Sequence, residues 1–275
     1  MTTTPTPDWG VEDLDLDSYL LRIDHPRVDP TPQALRTLHS AHVRAIPFEN
    51  VTVLLEGTPD ITVKAVAEKM VGQRRGGYCF EHATLFAAAA EQLGFTIRRR
   101  IARVSPHRGG PRTHMMLVAT FNDTAGVTEY LVDVGWGAQM WQPMPLVDGV
   151  EVDQAGWPRT LTPTELGWTL WTRGDDGEWE PDHEFDDLPL QPVDFEMGNH
   201  YAATGARSPF PGKLIVKQLE PGISRRLIGE ELTVVHSDGR TTATPFGLDQ
   251  LGEILPGFGI ELDHDQLAAL RAKLG

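Results

Sequence analysis

The hydrophobic pattern of this chain changes type near residue 95. Up to residue 94 the apolar side chains recur at helical spacing, whereas from Phe95 they form short β-type runs that are broken by turn residues. The first part predicts four helices, at residues 13–23, from Thr31-Pro32 through Leu38, from Asp60 through Met70, and at 79–93 with Gly94 as the C-cap. The second part predicts strands at 95–104, 115–121, 127–134, 169–172 and 179–185. Strands with this spacing are typical of a barrel or a sandwich.

The last part of the chain is predicted to contain both strands and helices. Two strand-like runs, 213–219 and 227–235, precede two helices at 248–255 and 265–274. Gly and Pro are dense between residues 135 and 167, as expected of connections between short strands. The chain of 275 residues is therefore expected to be α+β, with a helical bundle at 1–94, a β-barrel at 95–207 and an α/β lid at 208–275.

Composition narrows the class of protein. Hydrophobic residues make up 40% and charged residues 23%, as in an ordinary globular enzyme, and no apolar run reaches the length of a membrane span. The Thr/Pro-rich residues 1–8 are expected to be a loose tail and not a secretory signal. One cysteine allows no internal disulfide, which favours the cytoplasm. A formal net charge of -15 argues against nucleic acid or an anionic membrane as partner.

The single cysteine, Cys79, stands at the start of the alanine-rich fourth helix and follows Gly76-Gly77. The two glycines are expected to allow a tight backbone turn. The dipole and the unpaired N–H groups of a helix start favour a thiolate, which is the reactive form of the side chain. Cys79 is therefore a candidate nucleophile, although a lone cysteine is more often a small buried apolar residue.

A thiolate nucleophile needs a base, and the base needs an orienting acceptor. His114 begins one predicted strand and Asp133 ends the next, with a strong turn signal at residues 122–126 between them. If the turn centres near residue 124, residue 114 lies opposite about residue 134, so that His114 and Asp133 come close. Whether the two side chains share a face depends on a one-residue choice of register. The docking of Cys79 on this hairpin does not follow from spacing.

These residues carry a resemblance to the arylamine N-acetyltransferase family. The nucleophile motif of that family resembles the segment Arg75-Gly76-Gly77-x-Cys79-x-Glu81. Four weaker similarities follow the family's order: Ile46-Pro47-Phe48-Glu49-Asn50, Thr113-His114, Asp133-Val134-Gly135-x-Gly137 and Ser208-Pro209-Phe210. The resemblance implies a helical bundle, a β-barrel and an α/β lid around a cysteine-protease-like Cys-His-Asp core, in agreement with the pattern of the chain.

The resemblance also implies a mechanism in two half-reactions. Cys79, paired with His114 and Asp133, would take the acetyl group from acetyl-CoA and pass it to an arylamine, an arylhydrazine or an N-hydroxyarylamine. Backbone N–H groups around Cys79 are natural donors to the oxyanion. Acetyl-CoA would be a substrate, with no tightly bound cofactor, and the enzyme would take part in xenobiotic metabolism.

Several binding residues are implied by the same resemblance. Thr113, Gly135, Trp136 and His236 would contact CoA, and Phe48, Tyr78 and Trp136 would border the acceptor amine. Trp136 stands where the family usually has phenylalanine, and we expect its larger ring to narrow the pocket and to alter the preference among amines. His236 is equally well explained as a residue of a surface turn, and aromatic side chains are more often core than pocket.

Other charged residues have simpler interpretations. Glu81, in the first turn of its helix, is assigned a structural role and no chemistry. The basic run 98–100 with Arg103 could bind CoA phosphates, but arginines alternating along a strand are more often a solvated face. No spacing of His, Cys and carboxylate residues supports a metal site. No glycine-rich phosphate loop or dinucleotide fingerprint is present.

Two further enzymatic functions stay open at this point. A thiol amidase or papain-type protease also uses Cys and His, and would release free acid in place of an N-acetyl product. An amide synthase that joins a carrier-bound acyl thioester to an aromatic amine would differ only in its acyl donor. A noncatalytic binding protein would leave the Cys-His-Asp set unexplained. The sequence allows a monomer or a homodimer.

Overall fold

The computed structural model describes residues 7–124, 126–137, 139–174 and 176–275, and the first part of the chain is mainly helical. Five α-helices lie before residue 95: α1 (Leu16–Arg22), α2 (Pro32–Ala45), α3 (Val51–Leu55), α4 (Val63–Ala67) and α5 (Cys79–Gln92). A π-helical turn, Glu68–Gly72, continues α4. The loose tail expected at residues 1–8 falls mostly on residues 1–6, which lie outside the described part.

Capping residues explain where these helices begin. Thr31 accepts a hydrogen bond from the backbone N–H of Ala34, and Pro32 occupies the first helical position of α2 as predicted. Thr62 caps α4 in the same way through Ala65. The four predicted helices are confirmed, with α4 beginning three residues after Asp60. The short helix α3 was not predicted, because five residues are too few to show helical periodicity.

Helix α5 is the centre of the first core. Its alanines Ala87, Ala88, Ala89 and Ala90 are fully buried. A helix that is buried all round is the core of its unit, and small side chains let neighbouring elements approach it closely. It packs against α1, α4 and the first strands of the large sheet. The backbone leaves the helix at Gly94, which has a φ of +89° as expected of a residue after a C-cap.

An eight-stranded antiparallel sheet follows, and it curls into a nearly closed, barrel-like form. Its strands are β2 (Thr96–Val104), β3 (Arg112–Asp123), β4 (Gly126–Val132), β5 (Met144–Pro145), β6 (Glu151–Asp153), β7 (Pro158–Pro163), β8 (Gly167–Arg173) and β9 (Trp179–Asp186). Their spatial order is β5-β4-β3-β2-β9-β8-β7-β6. The α+β class and the expected barrel are confirmed.

Two parts of the second unit differ from the prediction. The segment 135–167 was expected to hold connections between short strands, but it also contains the strands β5, β6 and β7 themselves, whose short apolar runs are obscured by Gly and Pro. Helix α6 (Pro192–Thr204) was also missed. Its start is signalled by Pro192 and by Asp194, whose carboxylate accepts a hydrogen bond from the N–H of Gln191. Exposed Val193 and Met197 weaken its amphipathic pattern.

A second antiparallel sheet of five strands closes the chain. It holds β1 (Phe48–Glu49), β10 (Ile215–Glu220), β11 (Ile223–Ile228), β12 (Glu231–His236) and β13 (Thr241–Pro245), and α7 (Leu251–Ile254) and α8 (His264–Leu274) follow. The predicted strand 227–235 is wrong, since a turn at Gly229, with a φ of +63°, divides it into β11 and β12. Short strand β1, from the helical part of the chain, pairs with β10. The division into three units at 94 and 207 stays a prediction.

Asn50 ties the helical part to the second sheet. Its Nδ2 donates to the carbonyl oxygens of Phe210 and Lys213, and its Oδ1 accepts from the N–H of Ile215, each at 2.8 Å. One amide side chain thus satisfies three backbone groups on the segment that enters β10. Two motifs that are 160 residues apart, the Asn50 segment and Ser208-Pro209-Phe210, therefore belong to one structural junction.

We expect Asn50→Ala to lower the free energy of unfolding by about 3 kcal/mol, because three hydrogen bonds worth about 1 kcal/mol each are lost. Urea denaturation measures the change. Asn122→Ala, at an exposed position, is the control and should stay within about 0.5 kcal/mol of the native chain. Equal stability of the two variants would contradict the assigned role of Asn50.

Candidate active site

The start of α5 is held by close backbone packing. A Cβ on Gly76 would lie 2.1 Å from the carbonyl oxygen of Pro47, and one on Gly77 would lie 2.8 Å from Oε2 of Glu81. Neither glycine has a positive φ. The expectation of a tight turn here is therefore wrong, and the two glycines serve close approach of the neighbouring chain.

Two buried ion pairs fix the same segment. Arg75 Nη2 lies 2.9 Å from Glu49 Oε1, and the other oxygen of Glu49 accepts from the N–H of Val51 at 2.6 Å. Glu81 accepts from the N–H of Tyr78 at 3.1 Å and pairs with Lys69 at 2.6 Å. Glu81 therefore has the structural role expected of it. These contacts order the segment immediately before Cys79.

His114 and Asp133 meet across the hairpin of β3 and β4. The register pairs Leu117 with Val132 and Asp123 with Gly126, so the strands run toward His114 at their open end. Ala125, in the predicted turn, lies outside the described residues. His114 Nε2 is 2.8 Å from Asp133 Oδ2, and both side chains are buried. The hairpin thus brings the predicted base and its predicted acceptor together.

Cys79 completes this cluster from the helix side. Its side chain is hydrogen-bonded to His114, whose Nε2 is engaged by Asp133, and its Sγ lies 3.8 Å from the carbonyl oxygen of Thr113. The sulfur lines a cavity of about 470 Å³. A thiol, an imidazole and a carboxylate therefore lie together beside a cavity large enough for a substrate, which is the set of groups that the sequence predicted for nucleophilic catalysis.

The charges of this cluster stabilise one another. Burial by itself lowers the pKa of His114, but the charge of Asp133 and hydrogen bonds to Asp133 and Cys79 together raise that pKa to about 10. Burial raises the pKa of Asp133, and the opposing charge and hydrogen bond of His114 bring it below its usual value. At neutral pH the pair is therefore imidazolium and carboxylate, and a cation faces the sulfur.

Gly135 brings the end of the hairpin onto the nucleophile. A Cβ at this position would lie 2.8 Å from Cα of Cys79 and 2.9 Å from its carbonyl oxygen. Both contacts are with backbone, which cannot move aside as a flexible side chain could. Gly135 is therefore required for the distance between the barrel and the start of α5.

The cavity contains most of the residues that were predicted to bind substrate. Phe48, Thr113, Gly135 and Trp136 line it together with Cys79. The ring of Trp136 stands edge-on to that of His114, with 4.9 Å between centroids. This aromatic wall next to the base can receive a planar substrate.

Two predicted binding residues are not brought to the cavity. Tyr78 is fully buried and its hydroxyl is hydrogen-bonded to the side chain of Asn199, so its ring is held in the core. His236 lies at the end of β12 opposite Ile223 and is absent from the described cavity lining. Neither position supports the contact with acceptor or CoA that the resemblance implied.

Two arginines of the basic run on β2, Arg99 and Arg100, do not form the solvated face that their alternation favours. Arg99 forms two hydrogen bonds of 2.8 Å with the carboxylate of Glu91, and Arg100 pairs with Asp187. Both arginines are buried. Their carboxylate partners, 8 and 87 positions away in the sequence, cannot be identified from the alternation of arginines alone.

His183, on β9, is a residue of the site that the sequence reasoning missed. Its Nε2 lies 3.7 Å from Asp133 Oδ2, and its ring is packed against those of His114 and Trp136. Burial lowers the pKa of His183 to about 4, so the ring is neutral at pH 7. No sequence motif marks His183, because β9 comes close to Asp133 only through the order in which the strands lie in the sheet.

One grouping of side chains here also has the spacing of a metal site. Nitrogen and oxygen atoms of His114, Asp133 and His183 all lie within 4.8 Å of one another. Because Asp133 Oδ2 is already hydrogen-bonded to His114 Nε2, we interpret the cluster as a proton-transfer pair with a neutral neighbour. That the protein uses no metal stays a prediction.

Comparison with known proteins places the chain in a family. Residues 31–267 match the family model described as N-acetyltransferase. The arylamine N-acetyltransferase of Mycolicibacterium smegmatis is 35% identical over 273 residues, with 90% of this chain and 93% of the relative covered. The crystal structure of Nocardia farcinica arylamine N-acetyltransferase matches with a TM-score of 0.89 and 35% identity over 98% of both chains. This chain belongs to the arylamine N-acetyltransferase family.

A structure of the Mycobacterium marinum arylamine N-acetyltransferase in complex with CoA is also similar. It has a TM-score of 0.84 and 31% identity, and the match covers 94% of this chain and 98% of that one. As a member of this family the protein is an acyltransferase. Among the described residues, no helix combines the length and the apolar character that a membrane span needs.

We expect Gly135→Ala to slow turnover of this acyltransferase by about 10- to 100-fold, because a displacement of Cys79 disturbs the alignment of the nucleophile. Steady-state kinetics of the purified variant test this. Gly257→Ala is the matched control, since Gly257 has no positive φ and its Cβ would meet nothing within 4 Å. The assignment fails if both variants turn over like the native enzyme.

The ion pair predicts a pH dependence of stability. Because folding raises the pKa of His114 from 6.5 to about 10, its contribution is complete below about pH 6.5 and is lost as the pH rises through about 10. Relative to the double variant His114→Gln/Asp133→Asn, the native free energy of unfolding should fall by up to about 1.4 kcal/mol per pH unit in that window. Urea denaturation between pH 6 and 10 measures it, and parallel curves for the two proteins would refute the ion pair.

Proposed function

We propose that this enzyme acetylates aromatic amines, arylhydrazines and N-hydroxyarylamines with acetyl-CoA through an acetyl-cysteine intermediate on Cys79. The observation that carries the proposal is the contact of Cys79 with the buried His114–Asp133 pair at the wall of the cavity. We assign Cys79 as nucleophile, His114 as base and Asp133 as the group that orients and charges the imidazole.

In the first half-reaction the Cys79 thiolate attacks the thioester carbonyl of acetyl-CoA. The tetrahedral oxyanion is stabilised by backbone N–H groups at the start of α5, which have no partner inside the helix. Collapse of this intermediate forms the acetyl-cysteine bond and breaks the bond to the CoA sulfur. His114, which is protonated at neutral pH, supplies the proton that CoA thiolate needs to leave as a thiol.

In the second half-reaction an unprotonated amine attacks the acetyl-cysteine. His114, now neutral, accepts the proton of the attacking nitrogen, and the Cys79 thiolate is released. Phe48 and Trp136 are the cavity residues that we assign to the aromatic ring of the acceptor. Thr113 and Gly135 are assigned to CoA, because they lie next to the sulfur in the same cavity.

The rim of the cavity carries cationic side chains, which favour an anionic acyl donor. Arg108, Arg207 and Lys213 line it and are exposed, and the described lining includes no acidic side chain. In a protein with a net charge of -15, such a basic rim attracts anions against the mean field. We assign these three cations to the phosphate groups of CoA. A cytoplasmic location is proposed from the use of a single cysteine.

Intact-protein mass spectrometry tests the mechanism. Mixing the enzyme with acetyl-CoA alone should add one acetyl group, and adding an aniline or a hydrazide should remove it with formation of the N-acetyl product. Cys79→Ala should keep its fold and show neither change. Absence of the acetyl-enzyme would overturn the proposal, and release of acetate in place of N-acetyl product would favour a thiol amidase. Acylation by a carrier-bound thioester but not by acetyl-CoA would favour an amide synthase.

A further inference from the structure

A fourth basic residue of the cavity, Lys217, differs from the three at the rim. It lies on β10, where it pairs with Phe48 of β1, and its side chain is partly buried whereas those of Arg108, Arg207 and Lys213 are exposed. Its Nζ lies over the ring of Phe48, 5.4 Å from the centroid. Lys217 thus belongs to the aromatic interior of the cavity that also contains Cys79.

The ammonium group of Lys217 has no carboxylate partner among the residues that the structure describes. It forms no ion pair or hydrogen bond there, its Nζ lies over the ring of Phe48, and the sulfur of Cys79 is a nearby group that favours its charged form. The nearby carboxylate of Asp182 is already paired with Arg159. Its cross-strand neighbour on β11 is another cation, Arg226. Withdrawing a charge from water without a partner is costly, so this site is suited to an anion that arrives with a ligand.

The charge state of Lys217 agrees with this role. Burial lowers the pKa of Lys217 most, Arg226 and Arg159 lower it further, and Asp182 and Cys79 oppose them, which leaves a pKa of about 8. The side chain is therefore mostly protonated at pH 7. A bound carboxylate would raise this pKa again and be held by a charge-assisted hydrogen bond.

We propose that Lys217 forms a carboxylate subsite inside the catalytic cavity and that the enzyme prefers aromatic amines that carry a carboxylate on the ring. The proposal rests on the proposed function, since the acceptor ring is placed between Phe48 and Trp136. An aromatic ring against Phe48 brings its substituent to the ammonium that lies over the same side chain. The carboxylate could also belong to the acyl donor. The free carboxylate of a dicarboxylic acid that is joined to CoA as a monothioester would bind the same ammonium group.

The acceptor arm of the test compares 4-aminobenzoate with 4-aminobenzamide, its uncharged analogue, and uses acetyl-CoA as donor. For Lys217→Met we expect kcat/KM to fall by about tenfold or more for the acid and by less than about twofold for the amide. For each amine, the kcat/KM of the variant is divided by that of the native enzyme. This ratio cancels the intrinsic difference in reactivity between the two amines. Lys217→Arg should keep the response to the acid, and Lys273→Met, at an exposed lysine of α8, should behave like the native enzyme.

The donor arm compares acylation of Cys79 by succinyl-CoA and by acetyl-CoA without an acceptor. If Lys217→Met slows only succinyl transfer, the subsite is supported and its carboxylate comes from the acyl group. If neither the acid acceptor nor the succinyl donor responds to Lys217→Met, the subsite is refuted. Lys217→Gln gives the same comparison if the methionine variant fails to fold. Acetylation of Cys79 in the native enzyme reports separately on the proposed function, so the two can fail independently.

Discussion

The site depends on the contact between the backbone at Gly135 and the first residue of α5. The sulfur lies at the start of a helix, whereas the imidazole lies on β3 and the carboxylate directly follows β4. Because a Cβ on Gly135 would come within 2.8 Å of Cα of Cys79, the two elements are as close as their backbones allow. This closeness, and not any covalent or local constraint, sets the position of Cys79 relative to His114.

Charge pairing makes that close packing possible in a buried environment. Glu49 with Arg75, Glu81 with Lys69, and Asp133 with His114 each neutralise a charge that burial would otherwise penalise. The first two pairs order the segment before Cys79, whereas the third lies beside the sulfur itself. Removing one partner of such a pair leaves an uncompensated buried charge. The packing around Cys79 therefore depends on all three pairs being complete.

The sequence predicted the part of the site that local rules determine. Turn residues at 122–126 join β3 to β4, so the proximity of His114 to Asp133 follows from short-range pairing. The docking of Cys79 depends on packing between units, which no spacing in the chain encodes. The same limit explains why β1 was missed: two residues become a strand only because β10, more than 160 positions later, lies beside them. Tyr78 is adjacent to the nucleophile in sequence, yet its ring points to Asn199 in the core.

The surroundings of Asp133 also show how one buried charge constrains the protonation of its neighbours. His183 lies close enough to Asp133 to compete with His114 for the same carboxylate oxygen, at 3.7 Å against 2.8 Å. Its burial lowers its pKa to about 4, whereas the shorter contact raises that of His114 to about 10. A single carboxylate compensates one imidazolium and not two, so the proton resides on the ring that faces Cys79. The ring of Trp136 packs against both imidazoles and also lines the cavity, so the same side chain borders the charged ring, the neutral ring and the space for a substrate.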